Sequence, residues 1–129
     1  MLVMINLDKQ IEYWRSGSES NLETSVVLFA NAKTIEGLFF CHLPVEKMLK
    51  ALVVKGTAEI PPRTHDLFRL AEIAGIQLSE SYVALCQVLM RYQLEGRYPD
   101  YKPVNPHKKT ALTFLSETKT LIEWIKEKL

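Results

Sequence analysis

The longest run of hydrophobic residues with a helical period lies between positions 35 and 55. Apolar side chains recur there at steps of three and four residues, which places them on one face of an α-helix. Pro44 interrupts the run. Because proline lacks an N–H and its ring crowds the preceding turn, we expect a bend at this point or unusually tight packing. The stretch predicts a long helix at the centre of the fold.

The segment 5–31 predicts a first helix with one weak turn. Gly17, between two serines, is unfavourable in a helix interior by about 1 kcal/mol relative to alanine. A continuous helix and two helices that meet at Gly17 are both consistent with this pattern. The continuous helix is favoured because the apolar stripe resumes in phase after the glycine. The members of that stripe are Ile11, Trp14, Leu22, Val26 and Phe29.

Helix-capping residues set the expected limits of the second and third helices. Thr34 and Thr64 are expected to cap their N-termini, because a threonine hydroxyl accepts a hydrogen bond from a free N–H of the first turn. Gly56 is expected to end the second helix in a left-handed conformation, and Gly75 is expected to stop the third.

Two more helices follow. Ser79 opens a fourth helix over 80–95. Asn105 as the N-cap and Pro106 at the first helical position predict a fifth helix that extends to about position 128. No stretch has the alternation of a β-strand, and no internal repeat is present. The sequence therefore predicts one domain over 1–129, an all-α, up-and-down antiparallel bundle of about five helices.

Composition and charge limit the functions to consider. The chain has 129 residues, 47% of them hydrophobic, and a net charge of +1, so the overall charge gives no general signal of nucleic-acid binding. Cys41 and Cys86 lie within apolar helical patterns and are expected to be buried thiols rather than a disulfide. No cysteine–histidine spacing typical of zinc is present, so we predict neither a metal site nor a cofactor.

The first ten residues do not have the charged start of a signal peptide, and no apolar run reaches the ~18 residues of a membrane span. A cytoplasmic location is therefore expected.

The densest group of polar and aromatic residues lies between positions 91 and 109. Arginines, lysines and tyrosines around a proline-rich segment favour a groove that binds phosphates and stacks bases. The alternative is that Arg97 and Asp100 pair to hold the loop while the tyrosines pack against it. The candidate binding residues are Arg91, Arg97, Tyr98, Asp100, Lys102 and His107, with Tyr101, Lys108 and Lys109 beside them.

Three polar positions elsewhere allow a functional or a structural interpretation. Lys50, four residues after Glu46, is a candidate ligand-binding residue or one half of a helix-surface salt bridge. His42 is either a ligand or proton carrier, or a core or interface histidine that donates to a backbone carbonyl freed by Pro44. His65 and Asp66 are either an acid–base pair or the start of the third helix.

Three short motifs occur in a characteristic order: EKMLKAL at 46–52, THDLFRL at 64–70 and GRYPD at 96–100. In order and spacing they resemble the HEPN domain family (higher-eukaryote and prokaryote nucleotide-binding), over about residues 8–128. The resemblance implies an all-α bundle that is usually dimeric and is commonly encoded beside a small nucleotidyltransferase.

Some members of the family are metal-independent ribonucleases in which an arginine is followed, after four to six residues, by a histidine. This chain departs from that pattern. No histidine follows Arg91 at that distance, and His107 is too far from Arg97. The resemblance therefore favours the nucleotide-binding or partner-binding role.

Three functional interpretations follow. The first is a nucleotide-binding or interaction module, the partner of a small nucleotidyltransferase in a toxin–antitoxin-like pair. The second is a ribonuclease with a displaced histidine, in which Arg91 or Arg97 stabilises phosphate charge and His107 is the general acid or base. The third is a purely structural dimerisation domain. A homodimer is expected because Phe39, Phe40 and Val53 lie off the main apolar stripe of the second helix.

Overall fold

The structure is a computed structural model that describes residues 5–95 and 104–129. Most of these residues are helical, and no β-strand occurs within the two described ranges. The predicted all-α bundle of five helices is thus confirmed. The helices are α1 (Leu7–Ala30), α2 (Thr34–Thr57), α3 (Leu67–Ala74), α4 (Glu80–Glu95) and α5 (Lys108–Lys126).

Helix α2 lies at the centre of the bundle. It packs against all four other helices, and contacts between neighbours arrange these around it in the order α1, α5, α4, α3. Only three residues, 31–33, connect α1 to α2, so the two helices are antiparallel neighbours. The predicted apolar face of α2 is fully buried at Leu38, Val45, Met48 and Leu49.

Burial of α2 extends well beyond one face. Val53, which the sequence placed on a surface available to a second subunit, is 1% exposed and belongs to the core of the single chain. Phe39 and Phe40 are half-buried, and their rings meet edge to face at 5.6 Å. The expectation that Val53 forms part of an exposed apolar patch is therefore wrong, whereas the homodimer itself stays a prediction.

Helix α1 is continuous through Gly17, as the sequence favoured. A Cβ at this position would lie 3.3 Å from Cδ of Lys47, so the glycine lets the lysine side chain lie close against α1. The predicted stripe is wrong at Val26, which is 40% exposed, while Ser18 and Ser25 are fully buried.

The buried serines of α1 hydrogen-bond to the backbone of α2. Ser18 Oγ donates to the carbonyl of Pro44 at 2.6 Å, and Ser25 Oγ donates to the carbonyl of Gly37 at 2.9 Å. Each bond gives a buried hydroxyl group a partner, and it uses a second lone pair of a carbonyl oxygen of α2. Pro44 is buried inside a single helix, which agrees with the tight-packing alternative.

Both predicted ends of α2 differ from the observed ones. The N-cap is Lys33, which makes no side-chain capping bond, and Thr34 is already helical. The helix passes Gly56 and ends at Thr57, because Ala58 adopts the left-handed conformation (φ 57°) and donates its N–H to the carbonyl of Val54. Alanine is strained in this conformation, which is why glycine, and not Ala58, was the expected helix-ending residue.

The caps of α3 and α4 follow the sequence more closely. Asp66, rather than the predicted Thr64, is the N-cap of α3, and its carboxylate accepts from the N–H groups of Phe68 and Arg69. The predictions are confirmed for Gly75, which ends α3 with φ 74°, and for Ser79, whose hydroxyl accepts from the N–H of Tyr82 at the start of α4. None of the helices in the described ranges is long and apolar enough to cross a membrane.

Candidate functional site

The structure describes three of the candidate site residues: Lys50, Arg91 and His107. Arg91 is exposed on α4, and His107 is exposed directly before α5, whereas Lys50 is buried on α2. The other four candidates lie outside the described residues: Arg97, Tyr98, Asp100 and Lys102. The described part of the chain therefore offers two places for a site, one at the start of α5 and one on α2.

His107 shapes the start of α5. Its backbone is extended (ψ 143°), and its Nδ1 accepts a hydrogen bond from the N–H of Lys109 at 3.2 Å, so it is the N-cap. The prediction that Asn105 caps the helix and that Pro106 begins it is wrong, because the extended conformation of His107 prevents the helix from starting earlier. An imidazole nitrogen here accepts the capping hydrogen bond that a carboxylate or hydroxyl oxygen usually accepts.

The bond to Lys109 also fixes the tautomer of neutral His107. Because Nδ1 accepts, the proton of the neutral ring is on Nε2. His107 can therefore present an N–H donor outward, while the nitrogen that would serve as a base is occupied by its own helix.

A groove of about 530 Å³ runs along the first half of α5. Its cationic end contains Lys108 and Lys109 beside His107, and it continues past Leu112 to Glu117. The two lysines are exposed, and neither ammonium group pairs with an acidic side chain in the described part of the protein. The first N–H groups of a helix carry partial positive charge, so this end of the groove favours anions.

A second cavity, of about 400 Å³, adjoins the first between α4 and α5. Ser116 and Glu117 line both cavities, so they mark the junction. Leu85 and Tyr82 of α4 form the apolar part of the second cavity, where Tyr82 also packs on Trp124 with ring centroids 5.2 Å apart.

Arg91 is not among the described residues that line either cavity. The described residues thus place His107 in a groove without bringing it together with Arg91. The pairing of His107 with Arg97 involves a residue outside the described ranges.

The second place is a buried charged cluster on α2, formed by His42, Glu46 and Lys50 with His65 from the loop before α3. Glu46 is its centre. One carboxylate oxygen lies 2.8 Å from Nδ1 of His65, and the other lies 3.1 Å from Nζ of Lys50. Glu46 and Lys50 are 4% and 6% exposed, which is unusual for charged residues unless they are paired.

The cluster fixes the loop before α3 at two points. His42 is fully buried and donates from Nε2 to the backbone carbonyl of His65 at 2.9 Å. The side chain of His65 in turn contacts the carboxylate of Glu46. The structural interpretation of His42 as a donor to a carbonyl agrees with this geometry, although the carbonyl is that of His65. His65 and Glu46 are 19 positions apart, a contact that helical spacing does not reveal.

Lys50 is held from two sides. Besides Glu46, its ammonium lies 5.1 Å from the ring centroid of Trp14 on α1. An ammonium that is paired, stacked and 6% exposed has little capacity for an external ligand. This geometry agrees with the salt-bridge interpretation of Lys50, and we leave Lys50 out of the functional proposal.

The two cysteines are free and buried, as predicted. Burial raises the pKa of the Cys86 thiol to about 12, and it raises the pKa of Cys41, which lies 3.2 Å from the hydroxyl of Ser25. Thiols in this state are poor nucleophiles at neutral pH. Among the described residues, no group of three or more histidine, cysteine, aspartate or glutamate side chains is placed to hold a metal ion.

The described helices define an all-α bundle domain with a buried charged cluster that holds the fold and a solvent-open groove with a cationic end. The family model of the HEPN domain matches residues 11–129, and the chain belongs to this family. The match spans the three motifs that carried the resemblance. No curated protein and no solved structure matched the chain.

Proposed function

We propose that this HEPN domain is a nucleotide-binding interaction module that holds the phosphates of its ligand at the start of α5. The observation that carries the proposal is the groove whose cationic end joins the N-terminus of α5 to Lys108 and Lys109. Both lysines, which make no ion pair with the described residues, lie at the N-terminus of the helix, and lysines and helix N-termini bind phosphate in many folds.

Three features support this place over the cluster on α2. The groove is open to solvent, whereas Glu46 and Lys50 are buried. Its two lysine side chains make no ion pair with the described residues, whereas Lys50 is paired with Glu46. The outward N–H of neutral His107 adds a donor to the cationic end, and the exposed Arg91 precedes the segment that leads to this end.

We also propose, from the family, that the partner is a small nucleotidyltransferase in a toxin–antitoxin-like pair and that the module is a homodimer. A nucleotidyltransferase handles nucleoside triphosphates, so a domain that binds nucleotide phosphates is chemically suited to act beside one. Affinity capture of the enzyme encoded next to this chain tests the partner, and light scattering in solution tests the dimer.

We expect the double substitution Lys108→Ala/Lys109→Ala to weaken ATP binding by roughly 10- to 100-fold at low salt. A charge-assisted hydrogen bond contributes at most about 3 kcal/mol, and these two contribute less because both lysines are exposed to solvent. Isothermal titration calorimetry measures the affinity. The melting temperature should stay within about 1–2 °C, because both side chains are exposed and the cap of α5 is made by His107 with the backbone N–H of Lys109, which alanine keeps.

The matched control is Lys9→Ala/Lys33→Ala, which removes two exposed lysines at other helix starts. It changes the net charge equally and should leave ATP affinity almost unchanged. Equal loss in the two double variants would show that only the overall charge matters. ATP binding by wild type that is unaffected in Lys108→Ala/Lys109→Ala would overturn the proposed site.

A comparison of wild type with His107→Ala distinguishes the nucleotide-binding module from the ribonuclease. Wild type and His107→Ala are incubated with a single-stranded RNA in the presence of a chelator. The module predicts equal residual degradation by both. RNA cleavage that depends on His107 would establish the enzyme instead.

A further inference from the structure

The second cavity differs chemically from the cationic end of the groove. Its described lining has no lysine or arginine; it consists of hydroxyl groups, the apolar Leu85, the ring of Tyr82 and one carboxylate, that of Glu117. A carboxylate repels phosphate and accepts hydrogen bonds from hydroxyl or amino groups. The second cavity is therefore suited to an uncharged part of a ligand whose phosphates lie elsewhere.

The position of Glu117 relates the two cavities. It lines both of them, and it lies eight residues after Lys109 on the same helix, which is about 12 Å along the helix axis. This separation is comparable with the length of an extended triphosphate joined to its ribose, so the phosphates can lie at the cationic end while the ribose reaches the junction. The part of a nucleotide between phosphates and base is the ribose, and it would lie at Glu117.

The carboxylate of Glu117 is available for this role. Glu117 is exposed, and it makes no hydrogen bond or ion pair with the side chains that the structure describes. A carboxylate has two oxygens, and it can accept one hydrogen bond from each of two neighbouring hydroxyls. Charge-assisted bonds of this kind recognise the ribose hydroxyls in other nucleotide-binding folds.

The remaining lining of the second cavity is suited to a base. Leu85 is 2% exposed and forms an apolar floor, and Tyr82 is half-buried with its ring braced by Trp124. A braced aromatic ring provides a stacking surface for any base, because every base has a π-face. The two cavities, of about 530 and 400 Å³, together exceed the lower end of the volumes found for small-molecule sites.

We infer that the groove along α5 and the second cavity together bind a ribonucleoside polyphosphate in one orientation, with its phosphates at Lys108 and Lys109 and its 2′,3′-diol on Glu117. Glu117 is then the residue that selects ribose over deoxyribose. This inference rests on the proposed function, because it requires phosphates at the start of α5. It adds the class of nucleotide and the direction in which it lies.

The experiment measures the affinities of ATP, 2′,3′-dideoxyATP and tripolyphosphate by calorimetry for wild type, Glu117→Ala and Glu23→Ala. Wild type should bind ATP roughly tenfold or more tightly than dideoxyATP, because the diol makes hydrogen bonds to a charged acceptor. In Glu117→Ala the two affinities should become equal, while tripolyphosphate should bind at least as tightly as to wild type, since a repulsive carboxylate is removed.

The matched control Glu23→Ala removes an exposed carboxylate of α1, outside both cavities, and should behave as wild type. A wild-type protein that binds ATP and dideoxyATP equally, or a preference that survives in Glu117→Ala, overturns the inference and leaves the phosphate site standing. A wild-type protein that binds none of the three probes overturns the proposed function together with the inference.

Discussion

Glu46→Ala is expected to lower the free energy of unfolding by about 3–5 kcal/mol, the range found when one partner of a buried ion pair is removed. Glu46 is 4% exposed, and its two carboxylate oxygens accept from Lys50 and His65. The substitution leaves the Lys50 ammonium buried without its counter-charge and releases the side chain of His65. Urea denaturation followed by circular dichroism measures the change.

A double-mutant cycle with Lys50→Met separates the ion pair from the other contacts of Glu46. Methionine keeps much of the volume and apolar stem of lysine without its charge. The double variant Glu46→Ala/Lys50→Met should lose less stability than the sum of the two single variants, because it contains no unpaired buried ammonium. Strict additivity would mean that the pair is not coupled and would contradict the central position assigned to Glu46.

Glu72→Ala is the surface control for this series. Glu72 also forms an ion pair, with Arg69 at 3.1 Å, but its side chain is 75% exposed. Exposed pairs contribute little, so the expected change is below about 1 kcal/mol. The contrast between Glu46 and Glu72 tests whether burial, rather than the mere presence of an ion pair, determines the effect.

Stability should fall steeply between pH 9 and pH 12, and Cys86 accounts for up to about 4 kcal/mol of this fall. Burial raises the pKa of the Cys86 thiol from 9.0 to about 12. Above pH 9 the unfolded chain therefore loses the thiol proton while the folded chain keeps it. The contribution is present in full below pH 9, falls by about 1.4 kcal/mol per pH unit and levels off above pH 12.

Comparison with Cys86→Ala isolates this effect from the lysines and tyrosines that also titrate at high pH. The variant has its own constant cost from the lost packing, but it has no thiol at position 86 to ionise, while Cys41 titrates equally in both proteins. The difference in unfolding free energy between wild type and Cys86→Ala should thus decrease from pH 9 to pH 12. A difference that is constant over this range would show that the thiol ionises as easily in the folded protein as in the unfolded chain.

The sequence predicted the five helices because hydrophobic period is a local property. It assigned several helix ends incorrectly for the same reason. Neighbouring residues compete to cap one helix, and the hydrophobic period does not distinguish Thr64 from Asp66 at α3 or Asn105 from His107 at α5. The serines of α1 show the same limit, because the buried Ser18 bonds to a carbonyl 26 residues away.

The candidate site was only partly predictable. The start of α5 was singled out because His107 and two lysines follow a proline-rich segment, and the structure places them on one groove. Glu117 was not among the candidates, since nothing in helical spacing reveals a cavity against α4. The cluster on α2 had a local signal, the spacing of Glu46 and Lys50, but its link to His65 spans the loop between two helices.

The most direct test of the nucleotide site is a titration of isotopically labelled protein with ATP, followed through the backbone amide resonances. The largest shifts should fall on Lys108, Lys109 and Glu117, with smaller ones at Tyr82 and Leu85 across the groove. Resonances of Glu46 and Lys50 should not move, because these two side chains are buried and paired with each other. Shifts centred on the α2 cluster, with the start of α5 unchanged, would contradict the account.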